Sequence, residues 1–156
     1  MIVQIDSREQ PSSLQRITAQ FDELDIRWFV SKLYAADYCN IENPKLLIER
    51  KKDLLELIST LTTGHERFRN ELARATSIGA KIIVLCEHGA GIDALESVKN
   101  WTNPRLKNSP KATTGGQLAA IMERMTERYG VEWQFCRKQN TGKRIVEILQ
   151  GGKPNE

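Results

Sequence analysis

Leu46-Leu47-Ile48-Glu49-Arg50-Lys51-Lys52-Asp53 is the stretch from which the rest of the chain is read. Leu46, Leu47 and Ile48 form a short apolar run of the kind that buries a central strand. Strand side chains alternate between faces, so Glu49 and Lys51 point one way and Arg50 the other. A carboxylate and an ammonium two residues apart, at the end of a buried strand, share one site. Upstream, Ala35-Ala36-Asp37-Tyr38 supplies a second carboxylate, with eleven residues between Asp37 and Glu49.

Working outward, Ile2 to Ile5 alternate with polar residues and read as a first strand. Pro11 suits a first helical turn, and Leu14, Ile17, Phe21 and Leu24 follow at helical spacing over residues 11–24. Residues 26–33, rich in aromatic and branched side chains, predict a second strand. Residues 34–41 continue as the strand or turn that carries Asp37, and residues 45–51 are the third strand. The opening is thus expected to be one helix followed by a meander of strands. Helices are expected over 53–61 and 65–78, the second with Arg67 and Arg74 on an outer face and His65 and Glu66 at its start. Residues 81–86 are a buried strand, and Glu87 to Gly91 a loop at its end. A short helix is expected at 92–98, a long loop at 100–114, a helix at 115–129, a strand around Val131, Trp133 and Phe135, and a last helix from Asn140 or Thr141. Elements that alternate in this way predict an α/β fold with a mixed central sheet covered on both faces. The reading is a single domain over residues 1–150 with a flexible tail at 151–156.

The whole chain sets bounds. Its 156 residues are enough for one proper core. No apolar run approaches a membrane span, and the amino terminus reads as a strand without the basic start of a signal peptide, so cytoplasmic residence is expected. Cys39, Cys86 and Cys136 are odd in number and widely spaced, which argues against disulfides and metal-binding pairs. The net charge is only +3. Residues 1–100 carry 13 basic and 15 acidic side chains, whereas residues 101–156 carry 10 and 5. An acidic half beside a basic half suits a polyanion held across a cation centre; a basic solvated tail end is the plainer alternative. In the long loop, Arg105, Lys107 and Lys111 with Trp101 suit phosphate contact and base stacking, or else a mobile connector.

Asp37, Glu49 and Lys51 make the D…(D/E)-x-K arrangement of metal-dependent nucleases. Phosphodiester hydrolysis needs a hard divalent cation with oxygen ligands, which two carboxylates and a backbone carbonyl supply. A lysine beside them can orient or deprotonate the attacking water, or stabilise the charged transition state. The likeness extends further. Ile48-Glu49-Arg50-Lys51 resembles the E-R-K motif of the XPF-type structure-specific endonucleases. Ile5-Asp6-Ser7-Arg8-Glu9 resembles the D-x-R-E segment of that nuclease domain, and Ala36-Asp37-Tyr38 its G-D-Y, with Ala in place of Gly. The three fall in the expected order over about residues 2–90, and the compact length suggests a small phage or prophage member.

The resemblance implies a restriction-endonuclease-like core that cuts branched or junction-containing DNA with Mg²⁺, for which Mn²⁺ substitutes. Asp37, Glu49 and the carbonyl of Arg50 are the implied metal ligands. Lys51 acts on the water, and Glu9 and Asp6 are outer ligands or orienting groups. Arg8, Arg67, Arg74, Arg105, Lys107 and Lys111 are candidate DNA contacts. A homodimer, or pairing with another protein, is implied as well. One position departs from the pattern: the usual Asp four residues after the lysine is Leu55, and Asp53 comes two residues early. The helix-hairpin-helix module of many relatives has no recognisable counterpart. A catalytically silent DNA-binding or scaffolding module therefore stands as the alternative.

Overall fold

The computed structural model describes residues 1–89 and 91–151. Its strands are β1 (Ile2–Ile5), β2 (Arg27–Val30), β3 (Tyr38–Asn40), β4 (Asn43–Lys51), β5 (Lys81–Glu87) and β6 (Glu132–Cys136). Its helices are α1 (Pro11–Glu23), α2 (Leu54–Leu61), α3 (His65–Ser77), α4 (Leu95–Lys99), α5 (Gly115–Tyr129) and α6 (Thr141–Leu149). The strands form one sheet of order β2-β1-β3-β4-β5-β6. The expected α/β architecture, a restriction-endonuclease-like mixed sheet flanked by helices, is the one observed.

The meander is corrected. β2 does not run on into a hairpin with β3; it lies at the sheet edge, parallel to β1. β1 then pairs antiparallel with β3, and β3 antiparallel with β4. Helix α1 is the reason: it carries the chain across one face of the sheet, and a strand–helix–strand crossover returns the next strand parallel to the first. From β4 onward the sheet is parallel, β4 to β5 and β5 to β6, so three strands end along one edge.

Alternation along the strands divides the apolar residues between two cores. Leu47, Ile82, Val84 and Cys86 face one, with Leu57, Phe68, Leu72 and Met122 from the helices. Ile48, Ile83 and Leu85 face the other, with Ile17, Phe21, Ile145 and Ile148 from α1 and α6. Gly142 lets α1 and α6 approach closely, since a Cβ there would press on the Gln20 side chain and the Ile17 carbonyl.

The 100–114 segment is more ordered than a mobile connector. A 3₁₀ turn spans Pro104–Lys107. Asn103, buried, accepts from the Arg105 N–H at 2.9 Å and donates to the Thr113 carbonyl at 2.8 Å. Residues 152–156 of the expected tail lie outside the described residues.

Candidate active site

β3 and β4 assemble the centre. The β3–β4 pairing ends at Tyr38 and Ile48, and Asp37, just before that end, is held to β4 by two hydrogen bonds that bring it to the same cavity as Glu49 and Lys51. The Asp37 N–H donates to the Ile48 carbonyl at 2.9 Å, and an Asp37 carboxylate oxygen accepts from the Arg50 backbone N–H at 2.8 Å. Lys51 Nζ lies 3.1 Å from Glu49 Oε1. The D…E-x-K triad is therefore assembled on the face that α2 and α3 cover. To reach this position the backbone passes through Ala36 at φ +63°, a left-handed conformation that suits glycine better than alanine.

Arg50 turns to the opposite face, where it is buried in a chain of polar groups. Its Nε and Nη2 donate to the Glu9 carboxylate at 3.0 and 2.7 Å, a two-pronged contact, and the Tyr38 hydroxyl donates to Glu9 at 2.7 Å. Arg50 Nη1 lies 3.4 Å from Glu87 Oε1, within reach of charge attraction but without hydrogen-bond alignment. Glu87 in turn accepts from Arg16 at 2.9 Å and from Thr141 at 2.8 Å. Asp6 has both carboxylate oxygens engaged, one by the Leu33 N–H at 2.9 Å and one by Arg8 at 2.8 Å.

A cavity of about 710 Å³ opens over Asp37, Glu49 and Lys51. Among the candidates, Asp6, Arg8, Glu9, Arg50, Arg67 and Arg74 also border it. Arg105, Lys107 and Lys111 do not, nor do His65 and Glu66 at the start of α3. Two acidic residues at this cavity were not read as site residues from the sequence. Leu55 is absent from the lining, but its neighbour Glu56 is there, with Oε1 3.9 Å from Lys51 Nζ. An acidic group thus stands near the place where the motif loses one. Asp53 has a structural task instead: it caps α2 by accepting from the Glu56 N–H at 2.7 Å. Glu71 of α3 also reaches the cavity, and its Oε1 is buried without a hydrogen-bond partner among the described residues. Helical spacing groups Glu71 with Arg67 and Arg74, which was the only available signal.

The electrostatics mark this as a site for a cation. Burial, then the nearby Glu9 carboxylate, push Asp37 up to about 7. Burial, then Asp37, push Glu49 well above the ordinary carboxylate range. Burial works against the Lys51 charge, but Glu49 outweighs it and raises the lysine above its usual value. On the other face burial opposes the Glu9 charge, yet Arg50 holds that carboxyl below its usual value. One ammonium faces Asp37, Glu49, Glu56 and Glu71, an excess of hard oxygen donors that fits a divalent cation of the Mg²⁺ type. Among the described residues no three His, Cys, Asp or Glu side chains converge closely enough to hold an ion by themselves. A cation held here would need further oxygen donors, such as a backbone carbonyl or waters, beside the carboxylates.

Comparison with known proteins follows the same direction. The profile of the ERCC4 domain matches residues 5–148. The chain belongs to the ERCC4 domain family. This is a family of structure-specific DNA endonuclease domains, as the sequence motifs imply. No curated protein sequence matches the chain significantly. Among solved structures, XPF from Aeropyrum pernix is similar with a TM-score of 0.67 at 17% identity, over 96% of this chain and 64% of that one. The same XPF in complex with DNA gives 0.67 at 16% identity, over 96% and 63%. At such identity the likeness is one of fold, and this ERCC4 domain spans less than two thirds of the XPF chain.

Proposed function

We propose that this ERCC4 domain is a divalent-cation-dependent endonuclease that hydrolyses phosphodiester bonds in branched or junction-containing DNA such as flaps, forks and four-way junctions. The reading is carried by one observation: Asp37, Glu49 and Lys51 border one cavity, with Lys51 at 3.1 Å from Glu49 and Arg8, Arg67 and Arg74 at its edge. Asp37 and Glu49 would hold Mg²⁺ or Mn²⁺, with the Arg50 carbonyl as a third ligand. When bound, the cation neutralises phosphate charge and lowers the pKa of a water.

The chain's own residues do the rest. In hydrolysis a water oxygen bonds to phosphorus, a phosphorus–oxygen bond to the sugar breaks, and the departing oxygen takes a proton. Lys51, kept protonated by its carboxylate neighbours, is suited to orienting that water and stabilising the charged phosphate rather than to removing a proton. The Arg50 N–H fixes Asp37. Glu9 fixes the Arg50 side chain and Tyr38 fixes Glu9, so they are positioning residues. Arg8, Arg67 and Arg74 are the cations at the rim for DNA phosphates.

The test is a nuclease assay of wild type beside Glu49→Ala and Lys51→Ala, on matched duplex, flap, fork and four-way DNA with Mg²⁺, Mn²⁺ or chelator. Cation-dependent cutting of branched forms, lost in both variants while DNA binding persists, is the expected result. A silent DNA-binding module is the second reading, favoured by Leu55 at the motif's acidic position. It predicts no cutting of any substrate by folded protein, and no heat of Mn²⁺ binding in calorimetric titration.

A further inference from the structure

The carboxyl ends of β4, β5 and β6 enclose a second cavity, of about 440 Å³, lined by Lys52, Glu87, His88, Arg137 and Lys138 among others. It lies around the sheet edge from the catalytic cavity. Ile48, Ile83 and Leu85 pack against α1 and α6, strand alternation sends residues 50 and 87 to that same side, and Lys52, one residue past the end of β4, lines the cavity there. Lys51 and Lys52 are adjacent in sequence, so one peptide unit of about 3.8 Å separates the two sites along the chain.

Three features suit this cavity to an anion. Lys52, Arg137 and Lys138 are exposed and make no ion pair among the described residues, whereas the acidic groups beside them are occupied. Asp53 caps α2, and Glu87 is held by Arg16, Arg50 and Thr141. The backbone that carries the cations is fixed. The Lys138 carbonyl accepts from Arg16 at 2.6 Å and from Thr141 at 3.2 Å, and the Gln139 carbonyl accepts from Gln20. The backbone therefore needs no ordering on binding, and only the three side chains remain to be fixed. Finally, His88 Nδ1 is buried without a hydrogen-bond partner among the described residues.

We infer that Lys52, Arg137 and Lys138 grip the phosphodiester backbone of the DNA on the far side of the sheet edge from the cut, so that the substrate straddles the end of β4. The inference rests on the DNA-cleaving reading above and adds to it a second contact surface. An anion at the catalytic cavity alone would meet Arg8, Arg67 and Arg74 and leave the opposite face unused. A bent or branched substrate can reach both faces of one edge, and a straight duplex cannot do so without bending.

The experiment measures forked-DNA affinity against salt concentration, with chelator present, in a Glu49→Gln background that binds without cutting. It compares that protein with one that also carries Lys52→Ala, Arg137→Ala and Lys138→Ala, and with one that instead carries Arg105→Ala, Lys107→Ala and Lys111→Ala. Each lost phosphate contact reduces the salt slope by about 0.9 on duplex. Loss of all three at the sheet edge therefore lowers it by about 2.7, and the affinity lost between about 50 and 200 mM salt shrinks roughly 40-fold. A slope unchanged by the Lys52, Arg137 and Lys138 set, in a protein that binds DNA, overturns the inference and leaves the nuclease reading standing. Absence of DNA binding in the parent protein overturns both. The exposed positions leave the fold unaffected, and an unchanged melting temperature verifies this.

Discussion

Glu9→Ala tests whether the polar chain behind the site is structural. The substitution removes both hydrogen bonds that Arg50 makes at 2.7 and 3.0 Å, and the Tyr38 hydroxyl loses its acceptor. The two charged side chains are only 6% and 5% exposed, so solvent screens their attraction little. Glu87 remains 3.4 Å from the guanidinium without hydrogen-bond alignment, and cannot replace a two-pronged partner. Breaking a buried pair from one side costs about 3–5 kcal/mol, because a charge is left without its partner. For a domain of this size, at about 2–4 °C per kcal/mol, the melting midpoint falls by about 6–20 °C. Urea unfolding followed by circular dichroism at neutral pH measures the loss directly. Glu9 is held below its ordinary value of 4.5, so its contribution is fully present above that value and is lost as pH falls through the lowered one. The gap between wild type and variant should therefore close in acid. Adding Arg50→Met should recover part of the loss, since it removes the stranded charge. A loss under about 1 kcal/mol at neutral pH, the size of an exposed pair, would refute the reasoning.

Asp37 titrates in the opposite sense. Its carboxyl is pushed up to about 7 amid Glu9, Glu49, Glu71 and Lys51. Its neutral form favours the fold, so metal-free stability is full below its ordinary value, falls as pH rises toward 7 and then levels. Thermal melts from acid to mildly alkaline pH should show this decline in wild type and a flatter profile in Asp37→Asn. Mn²⁺ should raise the midpoint more at about pH 8 than at about pH 5, since it binds the ionised carboxylates; an equal rise at both would count against the cation site. Ala36→Gly should be close to neutral by urea unfolding. It relieves about 1–2 kcal/mol of left-handed strain, while glycine's freedom in the unfolded chain costs about 0.4–1 kcal/mol and the lost methyl about 0.8 kcal/mol. Ala35→Gly, equally buried but without a positive φ, lacks the relief and should cost about 1–2 kcal/mol.

Much of the fold was legible because periodicity and burial agree. The run at β4, the alternation of β1 and the stripe of Phe68, Leu72 and Ala75 on α3 are each dictated by which side chains must leave water. Motif order was enough to bring Asp37 to Glu49. Pairing over long sequence distances was not legible. That β2 can lie parallel to β1 follows from the strand–helix–strand order, but that it takes the edge beside β1 while β3 takes the other side is settled only when the whole sheet assembles. Glu87 reads locally as a loop residue after an apolar strand; its partners Arg50 and Arg16 are 37 and 71 residues away and meet it only once the sheet and α1 have docked. Glu71 was legible as a helix-face charge but not as a neighbour of Glu49, because the two are far apart in sequence and meet at the cavity only when α3 packs beside β4. Leu55 stands out in the sequence as a departure from the motif, whereas its neighbour Glu56 at the cavity follows from where α2 begins, at Leu54 after the Asp53 cap.

The alternation along β4 has a consequence for how this sequence tolerates changes in length. The strand works as a parity rule: odd positions 49 and 51 belong to the cutting side, even positions 50 and 52 to the other. Adding or deleting one residue between Leu46 and Ile48 would exchange the two sets, sending a guanidinium among the carboxylates and stranding Glu49 beside Glu9. Adding two would slide the site along the edge and leave each set on its own side. Length variation in this segment should therefore be accepted in even steps and rejected in odd ones, which a library of single- and double-codon insertions would read out as a two-valued pattern.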